Sequence, residues 1–178
     1  RRGMRIIAGE WGGRSIRAPR GRGVRPTTDR VREAWMAALG SRIVDARVLD
    51  LFAGSGALGL EALSRGARKV VFVERGRSAL RSLEKNVETL GAEPRSRIVR
   101  LDVLQFLERG PGGGFDLALA DPPYDGGYAP ALLARMVADP FARELWVEHR
   151  SGEVMPAVPG LWQRRYGDTT ISIWENPQ

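Results

Sequence analysis

The sequence contains no cysteine and a single histidine, His149. Without a thiol there is no disulfide, no thiolate nucleophile, and no zinc-ribbon or iron–sulfur ligation. One imidazole is too few for a histidine metal cluster, and a Ser/His/Asp triad would have to pass through that residue. His149 lies beyond the fifth predicted strand and reads as structural. No apolar run approaches the ~18–20 residues of a membrane helix, and Arg1-Arg2-Gly3-Met4-Arg5 leads into no signal-like apolar segment. Lysine is scarce as well, since 26 of the 28 basic residues are arginine. These absences predict a soluble, cytoplasmic chain that uses neither membrane nor metal.

What is present is ordinary globular material. There are 178 residues, enough for one comfortable domain, with 43% hydrophobic and 28% charged side chains. The formal charge of +7 is unevenly placed. Residues 1–47 carry 12 arginines against four acidic residues, a net of +8, and the remainder is −1. A basic arm on a near-neutral body points to a polyanionic partner, nucleic acid first.

Residues 4–19 read as a short β-hairpin turning at Gly12-Gly13, a dipeptide that permits positive φ. Trp11 at its tip has two readings, stacking on an unpaired base or packing on the body. Residues 19–26 form a Gly/Pro/Arg loop without periodicity. Thr27-Thr28-Asp29 offers caps for a helix over about 29–40, with Val31, Ala34, Trp35, Ala38 and Leu39 on its apolar face and Gly40 as its stop. Beyond Arg47, predicted strands at 48–52, 70–73, 97–101, 115–120 and 145–148 alternate with helices at 57–65, 77–91, 103–109 and 129–138. The uninterrupted Val70-Val71-Phe72-Val73 suits a strand buried on both faces. Residues 162–166 and 169–174 flank a Gly167-Asp168 turn as a terminal hairpin. The alternation predicts an α/β fold: a mostly parallel sheet, covered on both faces and closed by an antiparallel edge pair.

Gly54-Ser55-Gly56-Ala57-Leu58-Gly59 matches G-x-G-x-x-G between a predicted strand and helix, and Glu74 ends the next strand 20 residues after Gly54. That satisfies the nicotinamide-dinucleotide fingerprint. Asp50, four residues before Gly54, changes the reading. Its carboxylate would repel a pyrophosphate but suits a cationic ligand with an α-amino group, and S-adenosylmethionine carries both an ammonium and a sulfonium. Asp102, ahead of Val103, stands where an acid accepts an adenine amino group. Each acid alone also reads as a cap or a surface charge, but three of them end three successive strands.

Asp121-Pro122-Pro123-Tyr124 directly follows the fourth predicted strand. Its prolines fix φ near −65° and hold the preceding residues extended, giving a rigid loop at the carboxyl end of the sheet. In doubly wound sheets strands one and four meet at the switch point where ligands bind, so this loop should face the glycine loop. The pair suits methylation of an exocyclic amine on a planar base. The Asp121 carboxylate and Pro122 carbonyl accept its N–H groups and aim its lone pair, while Tyr124 stacks on the base. Direct displacement at a sulfonium methyl needs no covalent enzyme intermediate, in keeping with the missing cysteine. Pyrimidine C5 methylation, which needs a thiolate, is excluded.

These residues resemble the bacterial RsmD-like family, which methylates a guanine N2 in small-subunit ribosomal RNA. The likeness runs through Met4-Arg5-Ile6-Ile7-Ala8-Gly9, Arg25-Pro26-Thr27-Thr28-Asp29-Arg30-Val31-Arg32-Glu33, residues 50–62 and Asp121–Tyr124. Only Trp35, where Leu or Phe is usual, departs visibly. The resemblance implies a Rossmann-like class I methyltransferase fold with a seven-stranded sheet, S-adenosylmethionine as cofactor, and 16S ribosomal RNA in an assembled small subunit as partner. It assigns Asp50, Gly54 and Gly56, with Ala53 and Ser55 between, to the methionine end. Glu74 takes the ribose, Asp102 with Val103 the adenine, and Asp121, Pro122, Pro123 and Tyr124 the target amine. Residues 1–26 become a basic arm in which Arg5, Arg14, Arg17, Arg20, Arg22 and Arg25 grip phosphates, on a methyltransferase domain of 27–178 expected to act as a monomer. Three alternatives stand beside this reading: an adenine-N6 nucleic-acid methyltransferase, a non-catalytic RNA-binding assembly protein, and an NAD oxidoreductase.

Overall fold

The apolar runs become the parallel part of one sheet. In chain order the strands are β1 (Arg47–Leu51), β2 (Lys69–Glu74), β3 (Ser96–Arg100), β4 (Leu117–Ala120), β5 (Glu144–Arg150), β6 (Trp162–Tyr166) and β7 (Thr169–Glu175). The helices are α1 (Asp29–Leu39), α2 (Ala57–Ser64), α3 (Arg77–Thr89), α4 (Val103–Glu108) and α5 (Tyr128–Ala138). The structure, a computed structural model, describes residues 3–18 and 29–177. The loop over 19–26, the Thr27-Thr28 caps and the phosphate contacts expected of Arg20, Arg22 and Arg25 lie outside the described residues.

Strand order is β3-β2-β1-β4-β5-β7-β6, with the first five strands parallel and β7 antiparallel to both β5 and β6. Because strand side chains alternate between faces, Val48, Val70, Phe72, Leu117, Leu119 and Trp146 meet α1, α2 and α3 on one side. Leu49, Leu51, Val73, Ala118, Ala120 and Val147 meet α4 and α5 on the other. This is the fold of the class I methyltransferases, with its terminal antiparallel pair. Among the described residues no helix is long and apolar enough to cross a membrane.

Two local outcomes differ from simple periodicity. The buried stripe of α1 is Arg32, Trp35, Met36 and Leu39, rotated from the expected face so that an arginine points inward. The amino-terminal hairpin has no ladder: it closes with a single antiparallel bridge, Arg5↔Ser15, and curls onto the body. Ile6, Trp11 and Ile16 join the same core cluster as α1 to α3.

Candidate active site

Parallel pairing of β1 with β4 aligns Leu51 with Ala120, so the turns after both strands emerge side by side. Between them lies a cavity of about 470 Å³. Of the expected cofactor residues, Asp50, Ala53, Gly54, Ser55, Glu74, Asp102 and Val103 line it, and all of Asp121, Pro122, Pro123 and Tyr124 form its facing wall. Gly56 is set back from it. It holds φ +85° at the start of α2, and a Cβ there would sit 2.5 Å from Leu83 Cδ1, so its work is to seat α3 against the turn. A Cβ on Gly59 would meet Phe72 Cε1 at 2.4 Å and Asp50 Oδ2 at 2.9 Å. Its absence lets α2 lie on β2 and lets the Gly59 N–H donate to Asp50 at 3.0 Å.

The cavity is acidic although the chain is basic. Asp50 is 1% exposed, and burial pushes its carboxyl well above the ordinary carboxylate range, against the Gly59 hydrogen bond and with the charges of Asp121 and Glu74 adding to the push. Glu74 braces the glycine loop by accepting from the Gly54 N–H at 2.9 Å, and its other oxygen accepts from the Arg75 and Gly76 N–H groups. Asp102 caps α4 through the Leu104 and Gln105 N–H groups and pairs with Arg75 at 3.1 Å. A desolvated carboxylate flanked by two more is relieved most directly by a cationic ligand. An ammonium at Asp50, hydroxyls at Glu74 and an amine near Asp102 match this donor set, because each carboxylate keeps acceptor capacity beyond the bonds it already makes. The residues therefore fit S-adenosylmethionine. Among the described residues no group of His, Asp and Glu could hold a metal.

Several participants were invisible in the sequence. Tyr124 is held by its hydroxyl, 2.9 Å from Thr169 Oγ1 and 3.4 Å from Glu148 Oε1, with the Arg150 guanidinium 5.2 Å above its ring. Glu148, fully buried, also accepts from Trp35 Nε1 at 3.2 Å. The unusual Trp35 is thus more than core filling, since it helps fix the carboxylate that carries Tyr124. Phe52 takes φ +59°, a conformation bulky side chains rarely adopt, and sets its ring edge-on to Tyr128 at 5.1 Å on the cavity wall. His149 is structural, with Nε2 2.6 Å from Ser172 Oγ and Nδ1 2.8 Å from the Arg150 carbonyl.

The described part of the arm is strapped down rather than free. Fully buried Glu61 on α2 accepts from the Ile7 and Ala8 N–H groups at 2.8 and 3.2 Å. Ser64 accepts from Trp11 N–H through Oγ, and Asn86 brackets Arg17, accepting from its N–H and donating to its carbonyl. The second Asn86 donor hydrogen reaches Ser55 O in the glycine loop at 2.9 Å. Buried Arg32 donates to Arg5 O and Asp29, and its Nε lies 3.8 Å from Glu61. Trp11 is 5% exposed with the Arg95 guanidinium over its ring, so it packs on the body. Arg14 donates one guanidinium N–H to Thr89 O, and Arg5, Arg14 and Arg17 are all exposed.

A family model described as "conserved hypothetical protein 95", the RsmD family, matches residues 4–175. The chain belongs to this family. Within it, the Escherichia coli (strain K12) protein named ribosomal RNA small subunit methyltransferase D is 39% identical over 162 residues, 89% of this chain and 81% of that one. The solved structure of the Escherichia coli protein yhhF superposes with a TM-score of 0.82 at 34% identity, covering 97% of each chain. At 14% identity, an RNA methyltransferase from Salinibacter ruber solved with S-adenosyl-L-homocysteine shares the fold, with a TM-score of 0.66 over 86% of this chain and 95% of that one. The family is one of methyltransferases.

Proposed function

We propose that this protein transfers a methyl group from S-adenosylmethionine to the exocyclic N2 amine of a guanine in small-subunit ribosomal RNA. One observation carries the chemistry: a buried Asp50, whose carboxyl burial pushes up, and the Asp121–Tyr124 loop line one cavity. The names of the relatives support ribosomal RNA as the substrate, and the family likeness favours guanine.

When bound, the cofactor supplies an electrophilic methyl on a sulfonium. Asp50 takes the ammonium, Glu74 the ribose hydroxyls, and Asp102 with Val103 the adenine. A base amine is a poor nucleophile because its lone pair is delocalised into the ring. Asp121 and the Pro122 carbonyl accept its two N–H bonds and turn the lone pair toward the methyl. The amine nitrogen gains the methyl carbon as the carbon–sulfur bond breaks, its electron pair staying on sulfur to leave a neutral thioether, and the nitrogen gives up a proton to Asp121. Tyr124, held by Thr169 and Glu148, offers a fixed face for stacking, worth about 1–3 kcal/mol.

The test is labelled methyl transfer to naked 16S RNA, small subunits and duplex DNA, with the product nucleoside identified by mass spectrometry. N2-methylguanine in small-subunit RNA is expected. N6-methyladenine, or transfer to DNA alone, would overturn the reading. Asp121→Ala should lower the rate at least ~100-fold, as loss of a transition-state hydrogen-bond partner does. An unchanged rate would remove Asp121 from the mechanism.

A further inference from the structure

The outer end of the sheet carries a surface that continues outward from the catalytic site. β6 is an edge strand whose first four residues, Trp162 to Arg165, are exposed, Trp162 by 39%. Register places its side chains. Trp162 lies level with Ile173 and Trp146, Arg164 with Ile171 and Glu148, and Tyr166 with Thr169 and Arg150. Level residues share a face, and the 6.0 Å contact between the Trp146 and Trp162 rings shows which face this is. It is the face on which Tyr124 meets Glu148 and Thr169. From Tyr124, then, one file of side chains runs outward to the sheet edge: Arg150, Tyr166, Arg164 and Trp162.

The file alternates cation and ring. The Arg150 guanidinium lies 5.2 Å from the Tyr124 ring centre, and that of Arg164 5.3 Å from the Trp162 ring centre. No ion pair engages Arg150 or Arg164 among the described residues, so both guanidinium charges are uncompensated by a neighbouring acid. Charge on an edge strand discourages strand-to-strand pairing, which accounts for arginine but not for an exposed tryptophan carrying a guanidinium. Aromatic faces alternating with unpaired arginines fit a single-stranded nucleic acid, which offers π-faces and phosphates at every nucleotide.

We propose that the Arg150–Tyr166–Arg164–Trp162 face is the track for single-stranded RNA flanking the target nucleotide. Arg164 meets a phosphate and Trp162 stacks on a base several residues from the one seated at Tyr124. The surface rests on the RNA reading of the site, and it adds a second grip on the opposite side of the site from the arm.

The experiment uses the full chain with Trp162→Ala, Arg164→Ala and Trp162→Phe. Fluorescence anisotropy reads the affinity for a labelled single-stranded RNA across a salt series, calorimetry reads S-adenosylhomocysteine, and methyl transfer is followed on wild type and variants. Trp162→Ala and Arg164→Ala should each weaken RNA binding about tenfold, with Arg164→Ala also reducing the log–log salt slope by about 0.7. Trp162→Phe should retain most of the affinity. KM for the RNA substrate should rise with kcat and S-adenosylhomocysteine affinity unchanged. Wild-type RNA affinity in both alanine variants would overturn the proposal. So would unchanged RNA affinity with a raised KM on subunits only, which would make the face a protein contact. Failure of wild type to methylate both naked 16S RNA and small subunits would instead sink the catalytic reading, since binding is measured apart from turnover.

Discussion

Asp50 holds two opposed duties. It is buried beside Asp121 and Glu74, where an ionised carboxylate is costly, and burial is the largest cause of its raised pKa. Above the ordinary value of 3.8 the unfolded chain has released this proton while the folded chain still holds it. Stability therefore falls as pH rises from there to the raised native value, and above that the loss is complete. Asp50→Asn removes the ionisation and keeps an acceptor for the Gly59 N–H. The ligand-free variant should melt at higher temperature than wild type at pH 7, with the gap closing toward pH 4. The same change should weaken S-adenosylhomocysteine binding at least ~tenfold, as loss of a charged hydrogen bond implies. A lower melting temperature at pH 7 would show that Asp50 is stabilised by something other than its future ligand.

At the scale of elements, α2 is a fastener. Its amino end carries the glycine turn, and its buried polar side chains, Glu61 and Ser64, fix the arm. Glu61→Ala would strip two backbone amides of their acceptor and leave Arg32, whose guanidinium burial already pushes toward neutrality, with Asp29 as its remaining acid. Breaking a buried pair from one side costs about 3–5 kcal/mol, which for a domain of this size lowers Tm by about 10 °C. Limited proteolysis should then cut within residues 3–18 first. A melt within ~2 °C of wild type would mean that the strap is held by packing of Ile6, Trp11 and Ile16 alone.

These elements also show where sequence reading stops. The parallel strands were legible because burial on both faces forces continuous apolar runs such as Val70–Val73. The paired loops at Gly54 and Asp121 were legible because strand alternation fixes strands one and four as neighbours. Glu61, Ser64 and Asn86 were not, because their partners are backbone groups distant in sequence, and no periodicity marks a polar residue that finds one; Arg32 was not, because its periodicity marks no buried cation. The anchoring of Tyr124 by the side chains of Thr169 and Glu148 was hidden too, because two polar residues 45 and 24 positions away carry no pattern that pairs them with it.

For the whole molecule, an acidic cavity sits in a chain of net charge +7, so the proposed cofactor and the proposed RNA meet surfaces of opposite sign. S-adenosylhomocysteine at a hundred times its Kd should add about 2.7 kcal/mol of stability and raise Tm by about 5–10 °C. NAD at the same concentration should leave Tm unchanged, because Asp50 repels its pyrophosphate. A shift with NAD alone would return the glycine loop to dinucleotide chemistry.

The position of β7 has a consequence in time. The last strand in chain order is not at the sheet edge but wedged between β5 and β6, and it supplies Thr169 to Tyr124 across 45 residues of sequence. Trp35 and Glu148, which brace the same tyrosine, are separated by 113. β7 is also the last strand to be synthesised, so what it contributes to the site comes after every other strand is made. A chain in which β1 to β5 are made therefore has Glu148 and Arg150 to set beside Tyr124, but not yet Thr169. The hydroxyl partner of Tyr124 on β7 is thus the last of its braces to be synthesised, so truncation before residue 169 would leave the loop one brace short.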